Sequence, residues 1–515
     1  MEDHLAGSPA AAPFYQGHPR SLRAYREKLD EVRARFGRAE RERAAAALRP
    51  TSARAAERLR RFVEEGGAVV TTGQQPALFT GPLYTAHKVL NTVRLAAALE
   101  ARLGAVVLPV FWSGSEDHDF AEANHTFAVD GEGRLHRLAV RPTRALPFAL
   151  SEMPLGDDVE STLDDFEHVV ASNGDARFGI RLILDAFLPG VTLADAYRQT
   201  IEALFAPFDL LVTDAADPAL KAASLPALLR EAERAAAHER RVAEQTAALA
   251  EAGYPAQVTV VEGATNLFFH GPAGRERLYR EGDGFVARDS RRRFTLTEVE
   301  RELARDPRCF SPNVLLRPVV ESYVFPTLAY VAGPGETAYF AQAGPLFAAY
   351  GIRAPVVFPR LSAEIVPHEV QEIMDRLGLE ADELAAHEHE VVTRIARGRV
   401  PAEVQARLRE LRASLVERFG AVIDAAHGID PNLDLAIGAR RNRALLEVAA
   451  VERKVLTHVK RRDPALAREV ATTRNHLRPR GEPQERVLNL FPYLARQPTL
   501  LEEIAAAMEV ELSDD

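Results

Sequence analysis

Two short apolar runs bracket a glycine-bearing loop and a long helical pattern, and this order constrains the fold more than any other feature of the chain. Ala68-Val69-Val70-Thr71-Thr72 reads as a buried strand, Gly73-Gln74-Gln75-Pro76 as a loop, Leu83 to Arg102 as a helix, and Ala105 to Trp112 as a second buried strand. Strand, loop, helix and strand in that order form a parallel βαβ unit. Leu210 to Asp214 adds a third core strand, and Leu328 to Ala332 and Pro355 to Phe358 are two further candidates. The expected class is α/β, with a Rossmann-like parallel-sheet core.

At 515 residues the chain is too long for a single hydrophobic core, so two to four structural units are expected. Residues 20 to 65 are rich in Arg, Glu and Ala and read as one or two helices, ended by Gly66-Gly67. Two stretches exceed a minimal doubly wound domain and are read as insertions, at about 127–178 and 222–308. The second begins with an Ala/Glu/Arg helix and continues with strand-like pieces at Gln257 to Val261 and Thr265 to His270.

The last third changes character. Val404, Leu408, Leu411, Leu415, Phe419, Val422 and Ala426 recur every three or four residues. Ile437, Ala444, Val448, Val451, Val455 and Val459 repeat the pattern beyond a break at Gly428 to Pro431. This is the signature of an antiparallel helical hairpin, serving either as an oligomerisation arm or as a pair packed on its own core. The expected division is a core over 1–370, a helical coiled-coil domain over 371–475, and a segment over 476–515 that returns to the core.

With 64 Lys and Arg against 74 Asp and Glu, the net charge of −10 argues against sequence-independent nucleic-acid binding, which needs a basic surface. The single cysteine, Cys309, permits no intramolecular disulfide and no cysteine-based metal site, and reads as a structural thiol. Met1-Glu2-Asp3-His4 lacks the basic region of a secretory signal, and no apolar run approaches the roughly 18 residues of a membrane span. A cytoplasmic, soluble protein is expected.

Three clusters carry candidate chemistry. In the first, Gly73 and Gly81 let backbone approach a ligand. Thr80 can cap the following helix with Pro82 in its first turn, and His87 and Lys88 lie about one turn in, suited to a phosphate or carboxylate. The second follows the second strand: Glu116, Asp117, His118 and Asp119, then Glu122, Asn124 and His125. Carboxylates at a strand's carboxyl end suit an ammonium group, Mg²⁺ or general-base work with a histidine. A zinc site from His118, His125 and a carboxylate matches no known closed spacing, so the metal question stays open. The third runs from Ser311 through Asn313 and Arg317 to Glu321, then to Gly333-Pro334-Gly335-Glu336, a sharp turn after an apolar strand. Arg317 either clamps a carboxylate or pairs with Glu321.

These clusters resemble a known family. Thr72-Gly73-Gln74-Gln75, Thr80 to Thr85, His87-Lys88, Val110-Phe111-Trp112, Glu116 to Asp119, Glu122, Asn124-His125, Ser311 to Arg317 and Tyr323 to Glu336 are similar to conserved-looking blocks of the bacillithiol-synthesis cysteine ligase (BshC) family. Pro359-Arg360, Gly253-Tyr254 with Gln257, and Gln484-Glu485-Arg486 also match. One departure is Ser115, which stands between Gly114 and Glu116 where the family has the glycine and glutamate adjacent.

The resemblance implies a Rossmann-like core with two connecting-peptide insertions and an added coiled-coil hairpin domain. It also implies amide formation between cysteine and glucosaminyl-malate, and a homodimer joined through the helices. No nucleic acid or membrane partner is implied. Activation by ATP with Mg²⁺ is expected, because amide formation from a free carboxylate is uphill in water. On this reading Gly73, Gln74, Gln75, Thr80, Gly81, His87 and Lys88 serve the nucleotide. Glu116, Asp117 or Asp119 holds an ammonium group or Mg²⁺, and His118 takes the proton of the attacking amine. Arg317 holds the malate carboxylates, and His125, Asn313, Gly333, Gly335 and Glu336 complete the binding set. Two other classes stay open: a metal-dependent hydrolase or transferase built on Glu116 to His125, and a coiled-coil scaffold.

Overall fold

The computed structural model describes residues 1–175 and 177–514. In chain order the strands are β1 (Arg49–Pro50), β2 (Ala68–Gln74), β3 (Val107–Ser113), β4 (His125–Val129), β5 (Leu135–Ala139), β6 (Leu211–Asp214), β7 (Ala264–Gly271), β8 (Gly274–Glu281), β9 (Gly284–Ala287), β10 (Arg293–Thr295), β11 (Phe310–Pro312), β12 (Thr327–Ala332) and β13 (Val356–Pro359). The chain divides into two compact units. One comprises Met1–Gly131, His136–Ala363 and the segment from Glu485 on; the other comprises Glu132–Leu135 and Glu364–Gln484.

The first unit is built on a sheet of order β1-β6-β3-β2-β12-β13. All pairings are parallel except that of the short edge strand β1 with β6. The expected parallel core is therefore present. Its strands are buried on both faces, as their unbroken apolar runs require. Winding starts at β2, proceeds through β3 to β6, then reverses to β12 and β13. The reversal lies between β2 and β12, where an open α/β sheet leaves a crevice at the carboxyl ends of its strands.

Helix Tyr84–Leu103 joins β2 to β3, close to the expected span. The N-terminal stretch forms three helices rather than one or two: Leu22–Arg35, Arg38–Ala46 and Ala53–Glu65. The extra breaks fall at Gly37 and at the two-residue strand β1, which is too short to leave a periodic signal. Gly66 ends the last of these helices at φ +75°, a left-handed conformation that favours glycine.

The first insertion, of which residue 176 lies outside the described residues, contains the β4–β5 ribbon and is otherwise more helical than its polarity suggests. Helices Asp158–Ala171 and Arg177–Ala186 are followed by Leu193–Leu204. Val159, Leu163, Phe166 and Val170 form the buried stripe of the first.

The second insertion opens with the long helix Pro218–Glu251, which packs against helix Pro334–Ala349 and β7, and continues as an antiparallel sheet of order β10-β9-β8-β7-β11. Thr265 to His270 lies in β7, as expected, whereas Gln257 to Val261 is irregular. There the Gln342 amide accepts from Val258 N at 3.0 Å and donates to Val258 O at 2.7 Å. A side chain thus satisfies backbone groups that a neighbouring strand would otherwise serve.

The second unit is helical. Helices Ala402–His427 and Leu433–Arg462 form the expected hairpin across the Gly428 to Pro431 break. Val370, Leu384, Val391, Ile395, Leu466 and Val470 make a separate small core nearby. Among the described residues no helix is long and apolar enough to cross a membrane.

Candidate active site

The crevice at the β2/β12 reversal holds a cleft of about 610 Å³. Of the expected site residues, Gly73, Gln74, Gln75, Lys88, Glu116, Asp117, His118, Asn313, Arg317, Gly333, Gly335 and Glu336 line it. Residues scattered over more than two hundred positions converge because the ends of parallel strands share one edge of the sheet.

Gly73 closes β2 against β3. A Cβ there would stand 3.2 Å from Trp112 O, so this glycine serves close strand packing. Lys88, one turn into the helix after β2, is fully engaged. Its Nζ meets Glu336 Oε2 at 2.7 Å, Gln74 Oε1 at 3.2 Å and the Gly73 carbonyl. Burial lowers the Lys88 pKa, and Glu336 opposes that fall. For Glu336 burial acts upward, yet Lys88, the Tyr330 hydroxyl at 2.7 Å and Gly333 N at 2.7 Å hold the carboxyl below its ordinary value.

Asp117 is set by its loop. Oδ1 accepts from His118 N at 2.6 Å and Asp119 N at 3.2 Å, and Oδ2 accepts from the Gln75 amide. Burial works to raise this carboxyl, but the His118 side chain, the Gln75 amide, the nearby Arg275 charge and Asp119 N hold it well below the usual carboxylate range. Arg275 Nη1 donates to His118 Nδ1 at 3.1 Å, while its Nε donates to Ser311 Oγ at 3.0 Å. His118 Nδ1 thus lies between the Arg275 guanidinium and Asp117 Oδ1, the latter at 3.6 Å. Glu116 pairs with Lys221, a buried residue of helix Pro218–Glu251.

Arg317 takes up the ion pair with Glu321. Nη1 pairs with Glu321 Oε2 at 2.6 Å, while the guanidinium packs over Trp112 and Tyr330 at the cleft wall. Asn313 Oδ1 accepts from Leu315 N at 3.0 Å and Leu316 N at 2.9 Å, and its amide donates to Asn266 Oδ1 at 2.8 Å. Its amide thus shapes the turn that carries Arg317.

Five expected site residues lie outside the lining. Thr80 does not cap the helix, whose N-cap is Leu83. Instead Phe79 and Thr80 adopt left-handed backbone at φ +50° and +69°. Asn489 Nδ2 bonds Phe79 O at 2.7 Å, and the Phe79 ring stacks on Phe166 at 4.5 Å. Thr80 and Gly81 thus belong to a strained loop held by packing. His87 is buried, its Nδ1 3.0 Å from Glu485 Oε2. Asp119 is exposed and caps the short helix Phe120–Ala123 through Glu122 N. His125 begins β4, with Nδ1 3.2 Å from Asn124 Oδ1.

The sequence reading missed Arg275, Arg277 and Lys221, which come from the second insertion, and Arg360 and Arg486 as lining residues. Only the last two had a local signal, Pro359-Arg360 and Gln484-Glu485-Arg486. Together the lining presents Lys88, Arg275, Arg277, Arg317, Arg360 and Arg486 against Glu116, Asp117 and Glu336, a locally cationic cleft in a chain of net charge −10.

Among the described residues no group of three or more His, Cys, Asp or Glu side chains is gathered to hold a metal ion. Glu116 and Asp117 both line the cleft, and one or two carboxylates together with substrate phosphates are a sufficient ligand set for Mg²⁺.

Two family models match in tandem. The model described as "Bacillithiol biosynthesis BshC, N-terminal Rossmann-like domain" covers residues 1–361, and "Bacillithiol biosynthesis BshC, C-terminal coiled-coil domain" covers 363–512. The chain is 31% identical over 516 residues to a protein of Solibacter usitatus, covering 99% of this chain and 95% of that one. It is 30% identical over 520 residues to one of Salinibacter ruber, with 99% and 94% covered. A third, of Heliobacterium modesticaldum, is 32% identical over 497 residues, with 91% and 86% covered. Each carries the name "Putative cysteine ligase BshC".

Proposed function

The chain belongs to the BshC family of bacillithiol biosynthesis, and from that membership we propose that it is a cysteine ligase joining the carboxylate of cysteine to the amine of glucosaminyl-malate. The observation that carries the reading is the cationic cleft at the sheet's reversal point, six basic side chains against three carboxylates. Every reactant of such a step is anionic at that end: the malate carboxylates, the cysteine carboxylate and the phosphates of ATP.

Amide formation from a free carboxylate is uphill, and ATP with Mg²⁺, held by the cleft's basic side chains with Glu116 and Asp117, would supply the activation of that carboxylate. The residues then have separable tasks. Asp117, ionised throughout the neutral range, attracts the ammonium group of cysteine. His118 donates a hydrogen bond to the oxygen that gains charge as the amine attacks. Arg317, fixed by Glu321, faces the malate carboxylates. Lys88 and Glu336 neutralise each other and hold the two strand ends at a constant separation. The amine forms the C–N bond, the bond to the activated carboxylate oxygen breaks, and the amine proton leaves with the departing group.

The chain acts as a homodimer joined through its helical hairpin, on this reading. Two helices alone bury only part of each other's apolar seam, and Leu411, Val422, Leu435, Leu446 and Val451 remain exposed.

The test is a mass-spectrometric assay with purified protein, cysteine, glucosaminyl-malate, ATP and Mg²⁺, each omitted in turn. A product of the amide's mass that requires every component supports the reading, and AMP or ADP among the products identifies the activated species. Absence of product under all conditions removes it.

A further inference from the structure

Arg360 follows β13 directly and lines the cleft, with its side chain only 6% exposed. Glu485, on the returning C-terminal segment, takes it end-on: Oε2 accepts from Nη1 at 2.5 Å and Oε1 from Nη2 at 2.6 Å. The second hydrogen of Nη1 goes to Ser362 Oγ at 2.7 Å. A guanidinium has five N–H groups. Three are used, and the remaining two, on Nε and Nη2, lie side by side along one edge of the plane. Among the described residues neither has a partner. The edge is bordered by the turn after β12, where a Cβ placed on Gly333 would stand 3.4 Å from Glu336 Oε2, itself paired with Lys88, and 3.7 Å from Arg360 Nε. The missing side chain leaves that approach open.

Glu485 is itself anchored. His87 Nδ1 lies 3.0 Å from Oε2, while His87 Nε2 is buried without a partner. The ionised Glu485 carboxylate can only accept, so His87 donates to it through Nδ1. His87 thereby holds Glu485, which holds Arg360.

We propose that the Nε–Nη2 edge of Arg360 binds a carboxylate or phosphate group of the ligand beside the Gly333 turn, and that Glu485 is the positioning residue that presents this edge. A two-point fork matches the paired oxygens of either group. The inference deepens the reading of the cleft as a site for anionic substrates and rests on it.

Calorimetric titration of the full-length protein tests it without reference to turnover. One arm uses L-malate, the other inorganic pyrophosphate. The unaltered protein should bind in at least one arm, and the arm that binds distinguishes a carboxylate from a phosphate. Arg360→Lys keeps the charge but loses the fork, and should weaken binding in that arm tenfold or more. Gly333→Ala leaves the Arg360–Glu485 pair intact and sets a methyl in van der Waals contact with Nε, in the path of a ligand, and should weaken binding at least threefold. It decides the matter alone if the arginine variant fails to fold. Glu485→Ala should weaken the same arm, and Glu485→Asp should restore most of the loss at unchanged melting temperature. Binding in neither arm, or wild-type affinity in Arg360→Lys and Gly333→Ala, overturns the site. Wild-type affinity in Glu485→Ala, or an equal loss in both Glu485 variants, overturns the positioning role. Since no step reads amide formation, failure of the proposed ligase reaction leaves this result legible.

Discussion

Lys88 Nζ lies 2.7 Å from Glu336 Oε2, and this pair spans the sheet's reversal point. One partner stands on the helix after β2, the other on the first turn of the helix after β12. Removing one member of a buried pair leaves an uncompensated charge, which typically costs about 3–5 kcal/mol. Lys88→Met should therefore lower stability in urea by about 3 kcal/mol, and Glu336→Gln in that background should recover part of the loss. A Lys88→Met protein as stable as the parent would show that the pair does not hold the strand ends.

Asp117→Lys places a cation among cations. In protein with an unchanged circular dichroism spectrum it should reduce amide formation by at least about a hundredfold, the scale on which single preorganised polar groups act. Turnover near the parent rate would remove Asp117 from the site.

The carboxyls of Asp117, Glu336 and Glu485 all titrate below their ordinary values in the fold. Between folded and unfolded values the unfolded chain binds more protons, so stability rises with pH there. Their contribution is complete above the unfolded carboxylate range, about pH 4.5, and is lost as acid takes the pH down through the folded values. Thermal unfolding followed from pH 7 to pH 3 should show melting temperature falling on the acid side. Asp117→Asn should flatten that fall.

Asp214 behaves in the opposite sense. Burial raises it from 3.8 to about 6, against the hydrogen bonds of Ser115 and Ala216 N. The folded state holds the proton more tightly, so this group favours folding less as pH rises from about 4 through about 6. Asp214→Asn keeps the acceptor oxygen and removes the charge. Its melting temperature should exceed that of the parent at pH 7.5, by a margin that disappears near pH 4. An unchanged difference across this range would contradict the assignment.

Leu435 and Leu446 stand 80% and 64% exposed on the second hairpin helix. If the hairpin joins two copies, Leu435→Glu with Leu446→Glu should convert a dimer to a monomer in light scattering behind size exclusion. Pyrophosphate or malate binding should persist. A parent protein that is monomeric at tens of micromolar would dispose of the dimer.

The parallel core was legible because its signal is local. Strands buried on both faces must be apolar throughout, so Ala68 to Thr72, Ala105 to Trp112 and Leu210 to Asp214 announce themselves without reference to their neighbours. The hairpin announces itself through its three-and-four spacing. Gln257 to Val261 misled because Gln342, distant in sequence, supplies the hydrogen bonds that a strand would need from a partner.

The sequence alone determined which residue types stand at the strand ends, since the turn after each buried run carries them: Gly73 to Gln75, Glu116 to His118, Gly333 to Glu336. Only the tertiary structure decided which of these side chains remain available. Lys88 is consumed by Gly73, Gln74 and Glu336, His87 turns to Glu485, and Thr80 is held in a packed loop, while Arg275 and Arg360 reach the cleft from β8 and from directly after β13. Hydrogen bonds and ion pairs act over about 3 Å in space and carry no trace of sequence separation. A side chain's chemistry is therefore written in the sequence, but its partner is not.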